Sequence, residues 1–167
     1  EPPQELLQYL SNIAFEDIHQ YAPGNGNNEL LRLLVDKYSS YRAFEQEDFL
    51  VTNGATEAVS LLYAYFNHIV EKPYAALAFE PVYESYKQLP EIYGDAFVSF
   101  PFNSDGKVYF DELAATCRKK QVKVIFLNTP GNPFGKIWRK KEIETLDQIA
   151  HQEDIFMVVD AVYQELY

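Results

Sequence analysis

Phe156-Met157-Val158-Val159-Asp160-Ala161-Val162-Tyr163-Gln164-Glu165 is the stretch that decides the fold. An apolar run opening at Ile155 delivers a carboxylate, Asp160, and a tyrosine follows three residues later. The run lacks polar alternation, the pattern of a strand covered on both faces. Four further runs read the same way: Phe49-Leu50-Val51, Ala75-Ala76-Leu77-Ala78-Phe79, Ala96-Phe97-Val98-Ser99-Phe100 and Val124-Ile125-Phe126-Leu127. Helix-period segments separate them. Residues 27–42 place Leu30, Leu31, Leu34, Val35 and Tyr38 on one face, and residues 55–68 place Ala58, Leu61, Leu62 and Tyr65. Residues 110–120 carry Leu113, and residues 139–151 carry Ile143, Leu146 and Ile149. Strand–helix alternation of this kind predicts an α/β fold with parallel crossovers. Asn103-Ser104-Asp105-Gly106 is a turn signal. Internal repeats and low-complexity linkers are absent from the sequence.

The bulk composition narrows the function classes. A chain of 167 residues is long enough for one large domain with a substantial core. A formal charge of −11 argues against nucleic acid, because no basic stripe is available to neutralise phosphates. Arg139-Lys140-Lys141, the one dense basic run, reads as a solvated helix start. Thirteen tyrosines and twelve phenylalanines predict an aromatic-rich core or interface. Cys117 is the single cysteine, so an internal disulfide is excluded and a reducing compartment, the cytoplasm, is expected. No apolar run approaches membrane-spanning length, and no membrane partner is expected. The sequence shows no signal-like n-region and h-region, although it does not begin with Met. His19, His68 and His151 are isolated and lack metal-ligand spacing. Cys117 reads as a packed helix residue, Trp138 as an anchor for the helix after it, and Tyr9, Tyr63 and Tyr65 as core or interface residues.

In an open parallel sheet, ligands sit beyond the carboxyl ends of the strands. Those ends carry a consistent set of groups here. Thr52 and Asn53 lead into Gly54-Ala55-Thr56, which opens a helix. Small residues admit a ligand close to the backbone, and the free N–H groups with the helix dipole suit an anion such as phosphate. The plainer alternative is that Asn53 caps the helix and Gly54 eases the turn. Tyr83 follows the Ala75–Phe79 run and could lie against a planar ring or simply pack. Asn132, in the Gly/Pro-rich loop after Val124–Leu127, could donate an amide hydrogen bond to a phenolic oxygen or serve as a turn former before a Pro133 whose peptide bond could be cis. Asp160 should be partly desolvated and needs a partner. A protonated pyridine nitrogen would serve, as would a helix N-cap or a structural ion pair. Tyr163 could bond the same ring oxygen as Asn132 or pack. With four strands feeding one edge, the set points jointly to a site.

This pattern resembles the class I/II aminotransferases, pyridoxal 5'-phosphate (PLP) enzymes of fold type I. The resemblance covers nearly the whole chain. It rests on Asn132-Pro133-Phe134-Gly135 and Asp160-Ala161-Val162-Tyr163, with Tyr21-Ala22-Pro23-Gly24-Asn25-Gly26 and Asn53-Gly54-Ala55-Thr56 in support. It implies the large domain of such enzymes: a three-layer α/β/α sandwich with a mainly parallel sheet, lacking the last strands. Residues 1–20 would form an entry segment and residues 21–167 a PLP-binding domain, with no small domain. The resemblance places Gly54, Ala55 and Thr56 at the cofactor phosphate and Tyr83 against the pyridine ring. Asn132 and Tyr163 would bond the ring oxygen, Asp160 would pair with the ring nitrogen, and Tyr21 would reach the phosphate of a partner subunit in a homodimer. Phe134 departs from the family's threonine, which should be tolerable because Asn132-Pro133 carries the contact.

The implied reaction is ping-pong transfer of an amino group between an amino acid and a 2-oxo acid, with Asp160 and Tyr163 as catalytic groups. The cofactor-bearing lysine of the family normally follows the Asp-x-x-Tyr segment, and none of the lysines here sits in a matching motif. The 167 residues alone are therefore expected to be inactive. A PLP-dependent β-lyase shares these motifs, and a non-catalytic PLP-sensing domain of a regulator is a third reading.

Overall fold

The computed structural model describes residues 2–13 and 21–166. His19 and the expected boundary between residues 20 and 21 touch the stretch outside them. The chain forms two compact units, residues 1–52 and residues 53–167.

Among its described residues the first unit holds the α-helices α1 (Gln4–Ser11) and α2 (Asn28–Tyr38). Asn27 starts α2: its side-chain oxygen accepts from the Glu29 and Leu30 amides at 2.9 and 3.2 Å, satisfying donors that have no partner inside the helix. Of the expected face, Leu31 is buried and Leu34, Val35 and Tyr38 are half-buried, while Leu30 is exposed. The helix ends earlier than residue 42, where the Ser39 hydroxyl bonds the Asp36 carbonyl at 2.8 Å. Phe49 stacks on Tyr38 with centroids 6.1 Å apart and tilts on Phe44 at 5.4 Å. The expected strand at Phe49-Leu50-Val51 does not form. Instead the Phe49 amide bonds the Gln46 carbonyl at 3.2 Å and the Val51 amide bonds the Asn25 carbonyl at 2.9 Å. Gly26 makes that approach possible, since its φ is +127° and a Cβ there would lie 2.5 Å from Val51 Cγ2.

The second unit opens with α3 (Ala55–Ile69) and then alternates strand and helix: β1 (Ala75–Phe79), α4 (Glu84–Tyr93), β2 (Ala96–Phe100), α5 (Phe110–Lys120), β3 (Val122–Asn128), α6 (Lys140–Glu153) and β4 (Phe156–Asp160). All three strand pairings are parallel, in the order β2-β1-β3-β4. The central strands β1 and β3 are buried almost throughout, whereas β2 and β4 are partly open. This explains why Ala75–Phe79 and Val124–Leu127 read as unbroken apolar runs.

Alternate side chains of each strand enter two cores. Leu77, Phe79, Ile125 and Leu127 pack with Leu113 and Cys117 of α5 and Leu146 and Ile149 of α6. Ala76, Ala78, Val124, Phe126 and Val158 pack with Val59, Tyr63 and Phe66 of α3 and Tyr86 and Leu89 of α4. The result is the expected three-layer α/β/α sandwich. Burial among apolar neighbours pushes the Cys117 thiol up to about 11, in keeping with a packed cysteine. Helix α3 turns a different face inward from the one expected. Val59, Tyr63 and Phe66 are buried, while Leu61, Leu62 and Tyr65 are exposed. Both sets satisfy helical spacing, because the helix is apolar on most sides, and packing against the sheet selects between them. Tyr63 is core as expected, whereas Tyr9 is exposed.

At the amino edge of the sheet, Asp95 is buried and well partnered. Lys72 Nζ lies 2.9 Å from Oδ1, and Asn67 and the Tyr63 hydroxyl donate to Oδ2 at 2.7 and 3.2 Å. The buried carboxylate thus ties α3 to the turn that enters β2.

Leu77 is fully buried in the central strand. Leu77→Ala should lower stability by about 3 kcal/mol, the usual cost of such a cavity, read as a reduced midpoint with unchanged slope in urea unfolding.

Candidate active site

The strand order reverses beside β1. The chain steps from β1 to β2 on one side and returns to β3 on the other. Loops leaving β1 and β3 therefore diverge, and a crevice opens at the carboxyl edge between them. A hollow of about 230 Å³ lies there, lined by Ala55, Thr56 and Val59 of α3, by Tyr83, Ser85 and Tyr86, by Asn128 and Asn132, and by Asp160, Val162 and Tyr163. Six residues singled out from the sequence (Ala55, Thr56, Tyr83, Asn132, Asp160 and Tyr163) thus meet around one space. Three strands, not four, feed it, since residues 49–51 form no strand.

Gly54 stands just outside as the N-cap of α3, with φ +83°, a conformation glycine adopts without penalty. It displaces Asn53 from the capping role, and the Asn53 amide instead donates to the Glu57 carboxylate. The first-turn N–H groups of α3, at Ala55 and Thr56, adjoin the hollow. Tyr21 belongs to the first unit, where it is fully exposed.

Asp160 is the only carboxylate lining the hollow. The Tyr86 hydroxyl donates to its Oδ2 at 2.5 Å, and the Val162 amide donates to Oδ1 at 3.2 Å. Its backbone is equally constrained. Asp160 pairs in register with Asn128, whose side-chain amide donates to the Asp160 carbonyl at 3.0 Å, while the Thr129 amide donates to it at 2.9 Å. The Asn128 side-chain oxygen in turn accepts from the Asn132 amide. Asn128 therefore couples the end of β4 to the loop carrying Asn132, and the Asn132–Pro133 bond in that loop is cis.

That loop is braced from outside the hollow. Phe134 stacks on Phe102 at 5.4 Å, and Trp138 is buried against Phe79 and Phe102. Lys136 lies 5.1 Å from the Trp138 ring centre and bonds Glu142 Oε1 at 2.7 Å, while the other Glu142 oxygen accepts the Arg139 amide at 2.9 Å. The basic run Arg139-Lys140-Lys141 is exposed at the start of α6, as expected.

A larger hollow of about 830 Å³ opens beside β2, with Glu80, Lys87, Ser99 and Asn103 among its lining residues. None of the cofactor-site residues expected from the sequence lines it. Among the described residues no group of His, Cys, Asp and Glu could hold a metal ion. No helix among them is long and apolar enough to cross a membrane.

Sequence comparison bears on what this hollow is. The family model for aminotransferase class I and II matches residues 2–167. The chain belongs to this family.

The methionine aminotransferase of Escherichia coli is 28% identical over 98% of the chain, which covers 42% of that enzyme. Its solved structure superposes with a TM-score of 0.84 at 27% identity over 98% of the chain and 43% of the enzyme. Bna3p of Saccharomyces cerevisiae gives a TM-score of 0.86 at 25% identity over 100% of the chain and 42% of its own. N-succinyldiaminopimelate aminotransferase of Mycobacterium tuberculosis gives 0.80 at 26% identity, over 94% and 41%. The chain thus spans about two fifths of the length of these aminotransferases. Members of the family are generally PLP-dependent, and the neighbours share the fold-type-I sandwich described above.

Two lining residues, Tyr86 and Asn128, escaped the sequence reading. Helix α4, which carries Tyr86, was itself not anticipated. Pro90 lies within it and obscures the pattern. Asn128 had a usable signal, as an amide side chain at the last position of an apolar strand, where it cannot stay unpaired.

Glu142 is held below the usual glutamate range. Partial burial pushes it up, but the bonds from Lys136 and the Arg139 amide outweigh that. A carboxyl depressed in the folded state contributes stability above its unfolded value, about 4.3, and loses it as pH falls through the folded value. Glu142→Gln should therefore cost about 2 kcal/mol at pH 7 and progressively less toward pH 3, measured by urea unfolding across that range.

Proposed function

We propose that the complete protein is a PLP-dependent aminotransferase, acting on an amino acid and a 2-oxo acid. The observation that carries this reading is the convergence of Ala55, Thr56, Tyr83, Asn132, Asp160 and Tyr163, drawn from four separate segments, on one hollow at the switch point of the sheet.

The chemistry of the donors fits this cofactor. One end of the hollow offers the start of α3, where Ala55 and Thr56, next to the Gly54 N-cap, present first-turn N–H groups and a hydroxyl to a phosphate. The other end offers Asp160, an anion suited to a pyridinium N–H. Between them Asn132 and Tyr163 can donate to a phenolic oxygen, and Tyr83 supplies an aromatic face. When bound, PLP supplies an electron-poor ring that accepts the electron pair released from the substrate Cα. Asp160 would keep the ring nitrogen protonated. Asn132 and Tyr163 would hold the ring oxygen and fix the ring's tilt, and Tyr83 would exclude water from one face.

No lysine is among the residues lining the hollow. On this reading the base that moves the Cα proton is not supplied here by the 167 residues, which alone would bind the cofactor without turnover. Assembly as a homodimer in the cytoplasm belongs to the same proposal, with Tyr21 reaching a partner's phosphate site. The exposure of Tyr21 and the single cysteine support those two parts.

Asp160→Asn in the complete enzyme should slow Cα–H cleavage at least 100-fold, roughly the loss of one preorganised charge, while weakening cofactor binding far less. Single-turnover rates with Cα-deuterated amino acid would check this. Equal rates for mutant and parent would remove Asp160 from the reaction.

A further inference from the structure

Tyr86 has no assigned role, yet it is among the most constrained side chains in the second unit. It is 2% exposed. Its ring lies parallel to Phe126, with centroids 4.9 Å apart and planes 6° from coincidence. It makes a T-shaped contact with Tyr83, with centroids 5.5 Å apart and planes at 75°. Between these two contacts the ring has no room to swing, so the hydroxyl is aimed at one point, Asp160 Oδ2 at 2.5 Å.

We propose that Tyr86 is a positioning residue for the cofactor site: it holds the Asp160 carboxylate oriented toward the hollow, and sets Tyr83 beside it. This rests on the reading above, that Asp160 meets a ring nitrogen.

First, among the described residues the lining of the hollow offers Asp160 no cation. Besides Asp160, its titratable lining groups are Tyr83, Tyr86 and Tyr163. A half-buried carboxylate without a cation depends on hydrogen bonds to remain charged. Second, those bonds are unequal. The Val162 amide at 3.2 Å is long, whereas the Tyr86 hydroxyl at 2.5 Å is short, as charge-assisted O–H donors are. Third, Tyr86 can only donate. Burial, reinforced by the bond to Asp160, pushes its hydroxyl well above the ordinary tyrosine range, so it does not compete as a second anion. One residue of α4 thus contacts the two groups that would touch the ring, one through its hydroxyl and the other through its ring.

Two measurements test this. In the 167-residue chain labelled with carboxyl-13C aspartate, the Asp160 resonance is identified by its absence from Asp160→Asn. Tyr86→Phe keeps the ring and removes only the hydroxyl, and at neutral pH it should shift the Asp160 carboxyl resonance. An unmoved Asp160 resonance overturns the proposal. If Tyr86→Phe fails to fold, the unsubstituted chain decides: a downfield Tyr86 hydroxyl proton should lose its downfield shift in Asp160→Asn, and an unchanged position there overturns the proposal.

The second measurement is affinity for pyridoxamine 5'-phosphate, which needs no lysine. Tyr86→Phe should weaken it about tenfold, as expected for loss of a bond to a charged group. In the Asp160→Asn background the same change should cost less than twofold, because the carboxylate it serves is gone. Equal losses in both backgrounds would make Tyr86 a packing residue and overturn the proposal. A shifted Asp160 resonance with no binding by the parent chain would support the Tyr86–Asp160 assignment and count against the cofactor reading, so the two fail separately.

Discussion

The crevice at the carboxyl edge of the sheet exists because the chain reverses its direction of travel beside β1. A connection from β1 to β2 puts α4 on one face, and the return to β3 puts α5 on the other. Had the strands continued in one direction, the loops after β1 and β3 would have followed parallel paths and closed over the strand ends. Instead they part, and Tyr83 and Tyr86 stand on one side of the gap with Asn128 and Asn132 on the other. Burying both faces of β1 and β3 is what holds this arrangement, since those two strands supply most of the apolar wall shared by the two cores.

Within the crevice, polar groups are joined in series. Asn128 pairs with Asp160 across β3 and β4, bonds its carbonyl, and receives the Asn132 amide. Tyr86 reaches Asp160 from α4. A carboxylate at the end of a buried strand would be costly without partners. Here the partners come from three segments, so the loop conformation, the strand register and the carboxylate orientation reinforce each other. Such cross-bracing is the preorganisation a site needs if it is to hold charge without rearranging.

The opposite edge of the sheet is organised for stability rather than for ligand binding. Asp95 gathers Lys72, Asn67 and Tyr63 where α3 meets the entry to β2. The aromatic group of Phe79, Phe102, Phe134 and Trp138 stiffens the Asn132 loop from its outer side. This locates the effect of the Phe134 departure from the family's threonine: the ring packs on Phe102. Much of the unusual aromatic content is thereby spent on the second core and on this brace.

Local chemistry determined a good deal from the sequence alone. The unbroken apolar runs of β1 and β3 declared a covered parallel sheet, because strands buried on both faces need no polar alternation. Asn-Pro-x-Gly and Asp-x-x-Tyr carried the resemblance to the family, and both follow apolar strands, at the ends where ligands gather. Tertiary structure alone decided the rest. Residues 49–51 look like a strand but form none, since an apolar run pairs only where a neighbour accepts its register. Helix α3 carries two apolar faces, and only contact with the sheet chose Val59, Tyr63 and Phe66 over Leu61, Leu62 and Tyr65. Tyr86 and Asp160 are 74 residues apart, and no local pattern links them. Their hydrogen bond arises from the reversal of strand order, a property of the folded sheet that no segment of the chain contains.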